Sequence, residues 1–103
     1  MNTMLSSEVW QDIQGYSGIY QVSTLGRICS LKKGKIKLLK PYINNMGYAV
    51  LSLYANHKQK TYHVHKLVAE IFLVKVDGKN YIDHINGIKT DNRIDNLRWC
   101  TPK

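Results

Sequence analysis

The sequence has no acidic residue between Asp12 and Glu70, although its 103 residues include seven acids. The same stretch carries nine basic side chains: Arg27, Lys32, Lys33, Lys35, Lys37, Lys40, Lys58, Lys60 and Lys66. The net charge is +8, and such one-sided charge creates a positive field suited to a polyanion. A solvated lysine surface is one alternative, and acidic lipid is another, although no amphipathic basic helix favours lipid.

Cysteine is scarce, and long apolar runs are missing. Cys29 and Cys100 form no Cys-X-X-Cys pair, so we expect buried thiols in a reducing compartment and no structural zinc site. No apolar run approaches the roughly 20 residues of a membrane span. The start, MNTMLSSEVWQDI, lacks the features of a signal peptide. We therefore expect a cytoplasmic protein without a membrane partner.

Short strands and one helix are predicted from the spacing of apolar residues. Glycines at 15, 18 and 26 bound β-rich runs at 19–22 and 27–31. Residues 48–54 alternate as one arm of a hairpin, with a turn at 56–60 and a return through Tyr62 and Val64. Pro41 predicts an edge strand or a strand end.

The period changes within HKLVAEIFLV, where one helical face collects the apolar residues Leu67, Val68, Ile71 and Phe72. Two short strands follow, in YIDHI and IDNLRWC, joined by a loop that starts at the turn Asn86-Gly87. Thr101-Pro102-Lys103 has the pattern of a helix opening. The predicted fold class is α+β, with antiparallel strands and one clear helix.

Adjacent acid and imidazole groups at Asp83-His84 suggest chemistry on a phosphodiester. A neutral His can take a proton from water near neutral pH, and a carboxylate can hold a hard cation such as Mg²⁺. Neighbouring strand residues point to opposite faces, so the two share a site only where the strand ends or twists. Alone, such a pair near a turn is more often structural than catalytic.

The longer string IDHINGIKTDNRIDNLRWCT resembles the HNH motif of phage-type homing endonucleases. Upstream, GYAVLSLYANHKQKTYHVHKLVAEIF is similar to the segment that precedes this motif in the family. The first part, EVWQDIQGYSGIYQVSTLGRICSL, resembles the small nuclease-associated module fused ahead of it. The resemblance implies a β-rich N-terminal module at residues 1–45 and a ββα-metal HNH motif at residues 46–103.

The resemblance also implies roles for four residues of that motif. Asp83 would be a ligand of Mg²⁺ or of another divalent cation such as Mn²⁺, and His84 the general base. Asn96 would brace the loop and His84, and Asn92 would have a similar bracing role. The family's further metal ligand lies on a helix after the second strand. No such residue occurs within these 103 residues, so we expect the last helix of the motif to be truncated.

The other histidines and the tryptophans fit structural roles better than chemical ones. His63 and His65 would share one face of a strand, where a metal site is the alternative to hydrogen bonding and packing. His57 is expected to be exposed in the turn. Trp10 and Trp99 lie in apolar patterns, which favours the core over base stacking.

Double-stranded DNA is the predicted partner, because basic strands can follow a phosphate backbone. Arg98 fits phosphate contact and support of the fold equally. The predicted contact residues are Arg27, Lys32, Lys33, Lys35, Lys37, Lys40, Lys58, Lys60 and Arg98.

Three functions remain open. The leading one is a metal-dependent DNA endonuclease that nicks one strand, in the cytosol of the host cell if a phage encodes it. The alternatives are a DNA-binding module or regulator without catalysis, and a phage protein that binds another protein.

Overall fold

The computed structural model describes residues 8–102, which form nine short β-strands in three antiparallel sheets and one α-helix. This confirms the predicted α+β class. The first sheet has the order β1 Trp10–Asp12, β2 Tyr20–Ser23, β3 Ile28–Ser30 and β4 Lys37–Leu39. The second has the order β5 Tyr42–Ile43, β6 Ala49–Ala55 and β7 Lys58–His63. The third is a hairpin of β8 Tyr81–His84 and β9 Leu97–Cys100.

The β6–β7 hairpin is longer than predicted, and its turn is shorter. Ala55 pairs with Lys58, so Asn56 and His57 alone make the connection. Both have positive φ, of 53° and 63°, as a type I′ turn requires. The predicted turn at 56–60 was therefore wrong beyond His57, because strand pairing extends into the polar residues. His57 is exposed, as expected.

The helix α1, Val64–Phe72, follows β7 directly. His63 is its N-cap and keeps an extended backbone, with φ −82° and ψ 132°. His63 and His65 therefore do not share one strand, and Val64 belongs to the helix rather than to the returning strand. Val64 starts the helix because the apolar helical period begins there, and its side chain is buried in the core. Leu67 and Val68 are buried, as the predicted face requires.

One continuous hydrophobic core joins the two parts of the chain. Ile13, Tyr20, Val22 and Ile28 come from the first sheet region, and they pack in the same cluster as residues of the second sheet, of α1 and of β9. The latter are Ala49, Leu51, Leu53, Val64, Leu67, Val68 and Leu97. The division at residues 45 and 46 stays a prediction, but the described parts of the two modules are packed together.

The last described residues extend beyond the hairpin without helical structure. Thr101 and Pro102 are irregular, so the predicted helix opening is not seen at these two positions, and Lys103 lies outside the described residues. Residues 1–7 of the predicted N-terminal module also lie outside them. Among residues 8–102, no helix is both long and apolar enough for a membrane crossing.

Candidate active site

The β8–β9 hairpin carries the predicted acid and imidazole at its end. In its antiparallel register Asp83 lies opposite Arg98, and His84 lies opposite Leu97. Asp83 is partly exposed, whereas His84 is only 8% exposed. Adjacent strand residues point to opposite faces. Asp83 and His84 are therefore neighbours along the chain, but the structure places their side chains in different surroundings.

His84 is held by one short hydrogen bond. Its Nε2 lies 2.7 Å from Oδ1 of Asn92, which is itself only 5% exposed. An amide oxygen can only accept, so Nε2 carries the proton of neutral His84 and donates it. Nδ1 is then the unprotonated nitrogen, and the described residues offer it no hydrogen-bond partner. The imidazole is thus fixed in the tautomer that leaves Nδ1 able to accept a proton.

Asn96 holds the loop rather than the histidine. Its Nδ2 donates to Oδ1 of Asn86 at 3.0 Å and to the carbonyl of Asp91 at 2.8 Å. Its Oδ1 accepts from the backbone N–H of Asn86 at 3.0 Å. The expectation that Asn96 also braces His84 is corrected by these contacts, because the amide is fully engaged across the loop. Asn92 contacts the histidine instead.

Two further residues stabilise this loop and were not identified from the sequence. Asn86 accepts the backbone N–H of Ile88 at 2.9 Å and donates to the carboxylate of Asp91 at 2.8 Å. The pKa of Asp91 lies well below its usual value, mainly because its carboxylate accepts hydrogen bonds from the Arg93 guanidinium. The signal in the sequence was the turn Asn86-Gly87, since Asn in turns commonly bonds the backbone two residues on.

Aromatic and imidazole rings pack around His84. The His65 ring lies 5.1 Å from the His84 ring, and the Tyr48 ring lies 6.1 Å from it, centroid to centroid. His63 lies 5.3 Å from His65, so the fold brings this pair beside His84, which the sequence analysis had considered apart from them. Burial is the main cause that lowers the pKa of His65 to about 4, and the neighbouring His84, His63 and Lys66 lower it further. His65 is therefore neutral at neutral pH, and its Nδ1 is buried without a partner among the described residues.

Asp83 lies on the other side of the hairpin, beside Arg98. Nε and one terminal nitrogen of Arg98 lie 3.0 and 2.8 Å from the same oxygen, Oδ2 of Asp83. Oδ1 of Asp83 has no partner among the described residues. The pair borders a depression of about 300 Å³, lined by Lys79, Asp83, Arg98, Trp99, Cys100 and Thr101. His84 is not part of that lining.

The fit to a divalent cation can be tested on these groups. Within residues 8–102, no three His, Cys, Asp or Glu side chains lie close enough together to hold a metal ion. Mg²⁺ often binds through only one or two carboxylates, with water and substrate phosphate as its other ligands. The free Oδ1 of Asp83 fits one such ligand.

The nine predicted DNA-contact side chains are all exposed. Arg27 also pairs with Glu8 and lies 5.7 Å from the Trp10 ring. Lys58 and Lys60 border a depression of about 370 Å³, and Lys40 borders another of about 460 Å³. The two depressions share Gln59. Exposed lysines beside open grooves are compatible with phosphate contact, and the assignment of each contact stays a prediction.

The remaining sequence expectations concern cysteine and tryptophan. Cys29 is buried, whereas Cys100 is only partly buried, and both are free thiols. Trp10 and Trp99 are partly buried. Nε1 of Trp99 is buried without a partner among the described residues, and Lys75 Nζ lies 5.1 Å from its ring.

The fold and the site together define a small α+β protein with a histidine-bearing β-hairpin of nuclease type. Residues 62–103 match the family model of the HNH endonuclease, and residues 8–54 match that of the NUMOD4 motif. Over residues 62–103 the chain is therefore similar to the HNH endonuclease family, which confirms the resemblance of its motif. This family generally depends on a divalent metal ion.

Two known proteins illustrate the similarity. The chain is 44% identical over 94 residues to DNA endonuclease I-HmuI of Bacillus phage SP01, across 91% of this chain and 53% of that protein. It is 37% identical to the uncharacterized HNH endonuclease L245 of Acanthamoeba polyphaga mimivirus, across 82% of this chain and 25% of that protein.

A solved structure agrees with the sequence comparison. The structure of DNA binding and cleavage by the HNH homing endonuclease I-HmuI matches this fold with a TM-score of 0.81 at 44% identity. The match covers 90% of this chain and 52% of that one. The chain therefore spans about half the length of I-HmuI.

Proposed function

We propose that the chain acts in a DNA endonuclease of the HNH class that hydrolyses one phosphodiester bond of double-stranded DNA. The observation that carries this proposal is the hydrogen bond between His84 and Asn92, which sets the tautomer of the imidazole. Asn92 fixes its Nε2 at 2.7 Å, which leaves Nδ1 as the basic nitrogen at the end of β8. A cytoplasmic location is part of the proposal and stays a prediction.

His84 is the general base of the proposed reaction. Its Nδ1 accepts a proton from the attacking water, and the imidazolium that forms keeps its Nε2–H bond to Asn92. The amide oxygen of Asn92 stabilises this cation because its partial negative charge faces the ring N–H. Removal of a general base commonly lowers the rate by about 10²- to 10⁴-fold.

Asp83 is the proposed ligand of the divalent cation, through its free Oδ1. When bound, Mg²⁺ or Mn²⁺ would supply positive charge to the scissile phosphate and the departing oxygen. Arg98 holds Oδ2 of the same carboxylate at 2.8 Å and thereby fixes its orientation. Because Arg98 is also exposed, its other terminal guanidinium nitrogen is available to a phosphate.

A DNA-binding module without catalysis is the second candidate. The observation that favours it is the separation of the site, since His84 is buried while Asp83 faces a depression that His84 does not line. A module of this kind would bind DNA through its lysines and would cut neither strand.

Nicking of supercoiled plasmid separates the two candidates. The wild-type chain, His84→Ala and Asp83→Ala are incubated with Mg²⁺, Mn²⁺ or a chelator, and His57→Asn is the control for loss of a histidine. Nicking that needs the metal, His84 and Asp83 but not His57 supports the endonuclease. Metal-independent DNA binding without nicking by any form contradicts it and favours the module.

A further inference from the structure

The turn between β2 and β3 packs directly against the residue that holds His84. Gly26 lies in this turn with a φ of +82°. A Cβ added at Gly26 would lie 2.7 Å from the carbonyl oxygen of Asn92 and 2.9 Å from both its carbonyl carbon and its Cβ. Only glycine allows so close an approach, because other residues carry the Cβ that would collide.

A backbone hydrogen bond strengthens the same junction. The N–H of Ile94 donates to the carbonyl of Thr24 at 2.8 Å. Thr24 is held by Val9, whose N–H donates to Thr24 Oγ1 and whose carbonyl accepts the Thr24 N–H, each at 3.0 Å. These contacts therefore link the chain just before β1, the edge strand of the first sheet, to Asn92 and Ile94, the two neighbours of Arg93.

The turn is itself rigid. Ser23 is fully buried, and its Oγ accepts the backbone N–H of Leu25 at 3.2 Å and of Arg27 at 3.1 Å. Its carbonyl accepts the N–H of Gly26 at 2.9 Å. Because three backbone N–H groups of the turn donate to this one buried residue, the turn transmits displacement rather than absorbing it.

We propose that the turn Ser23–Arg27 is a positioning element for His84, acting through its contacts with Asn92 and Ile94. The inference rests on the proposed function, and it assigns the N-terminal module a second task besides DNA contact. Gly26 fixes the backbone of Asn92, and the Asn92 amide in turn fixes the imidazole. An active-site group displaced by about 1 Å can lose about 10²-fold in rate, so a firm support matters for catalysis.

The test compares Gly26→Ala with Gly18→Ala. Gly18 has a similar φ of +77°, but an added Cβ there meets nothing within 4 Å. Both variants share the backbone strain of a positive φ, and only Gly26→Ala pushes on Asn92. The readouts are the ¹⁵N and ¹H signals of the His84 ring at fixed pH, which report the Nε2–H bond, and the nicking rate with its dependence on DNA concentration.

The expected result is specific to Gly26→Ala. Its His84 Nε2–H signal shifts or exchanges faster, and its kcat for nicking falls at least about tenfold while KM for DNA stays within about twofold. Gly18→Ala keeps the wild-type signal and rate. A folded Gly26→Ala protein with unchanged His84 signals and nicking overturns the proposal.

A second pair of variants serves if Gly26→Ala does not fold. Ile94→Pro removes the N–H that donates to Thr24, and the preceding residue Arg93 already has the extended backbone that proline requires, with φ −66° and ψ 144°. Ile94→Ala removes the side chain but keeps the N–H. The proposal predicts altered His84 signals for Ile94→Pro relative to Ile94→Ala, and equal signals in the two would overturn it.

The ring signals also keep this proposal separate from the proposed function. If no form of the protein nicks DNA, the endonuclease assignment fails. A His84 signal changed by Gly26→Ala and not by Gly18→Ala then still supports the positioning contact.

Discussion

At the scale of single residues, the two asparagines of the candidate site have different roles. Asn92 contacts His84, whereas Asn96 makes three hydrogen bonds within the loop. The sequence placed both asparagines beside Asp83-His84, since all four belong to one motif. It did not show which asparagine meets the imidazole, because that depends on how the loop closes and on the contact of Asn92 with Gly26, 66 positions away.

Substitution of the two asparagines should separate catalysis from stability. Asn92→Ala frees the His84 ring, so we expect the nicking rate to fall by about 10- to 100-fold. Asn96→Ala leaves partly buried loop groups unpaired and should lower the free energy of unfolding by about 1–3 kcal/mol. Nicking kinetics and urea unfolding of both variants check this. Equal losses of stability with unchanged rate in Asn92→Ala would contradict the assignment.

His65 should make the stability of the fold depend on pH. Its pKa is about 4 in the folded chain and about 6.5 when unfolded, so the unfolded state binds the extra proton between these values. The contribution of neutral His65 to the free energy of unfolding is therefore fully present above about pH 6.5 and is lost as the pH drops toward 4. A shift of this size corresponds to about 3 kcal/mol, at about 1.4 kcal/mol per pKa unit.

Urea unfolding at several pH values between 4 and 7 measures this dependence. His65→Gln should flatten the curve over that range, because the titrating group is gone. The exposed turn variant His57→Gln should leave the curve unchanged. A wild-type slope that survives His65→Gln would assign the effect to another group.

Elements of secondary structure were largely predictable from period and turn residues. The apolar face of α1 and the alternation in β6 follow from burial on one side, and both patterns are strong in the sequence. The β6–β7 turn was not predictable, because its two residues adopt positive φ through strand pairing rather than through glycine. The boundary between β7 and α1 was not predictable either, because a histidine lies on each side of it, His63 in the strand and His65 in the helix. Packing of Val64 into the core sets this boundary.

The β6–β7 turn offers a test at this scale. His57 has a φ of 63°, which costs a residue with a Cβ about 1–2 kcal/mol relative to glycine. His57→Gly should therefore stabilise the fold by up to about 1 kcal/mol after the greater entropy of unfolded glycine is subtracted. The control Gln59→Gly, within β7, should destabilise it. Thermal unfolding measures both, and a destabilised His57→Gly protein would contradict the type I′ turn.

The whole molecule combines one shared core with a segment, residues 13–69, that carries nine basic and no acidic side chains. The family match of residues 8–54 and 62–103 covers most of the described chain, and the packing joins both parts through residues such as Ile28 and Leu97. Charge distribution was readable from the sequence. The common core and the junction at Gly26 were not, because they depend on contacts between residues distant along the chain.

Binding to duplex DNA should fall steeply with added salt. Each phosphate neutralised contributes a slope of about −0.9 to the dependence of log K on log salt. Lys32→Gln combined with Lys33→Gln should reduce that slope by up to about 2, whereas Lys66→Gln, on α1 and outside the predicted contact set, should leave it unchanged. Fluorescence anisotropy at several salt concentrations measures it. Affinity that does not respond to salt would refute the electrostatic contact.

Rescue of His84→Ala by free imidazole, measured as the initial rate of plasmid nicking in Mg²⁺, tests the role of His84 most directly. The account predicts that His84→Ala loses about 10²- to 10⁴-fold in rate and regains part of it when imidazole fills the space left by the side chain. Asp83→Ala, whose imidazole is intact, should gain nothing. Nicking by His84→Ala at the wild-type rate without imidazole would contradict the account.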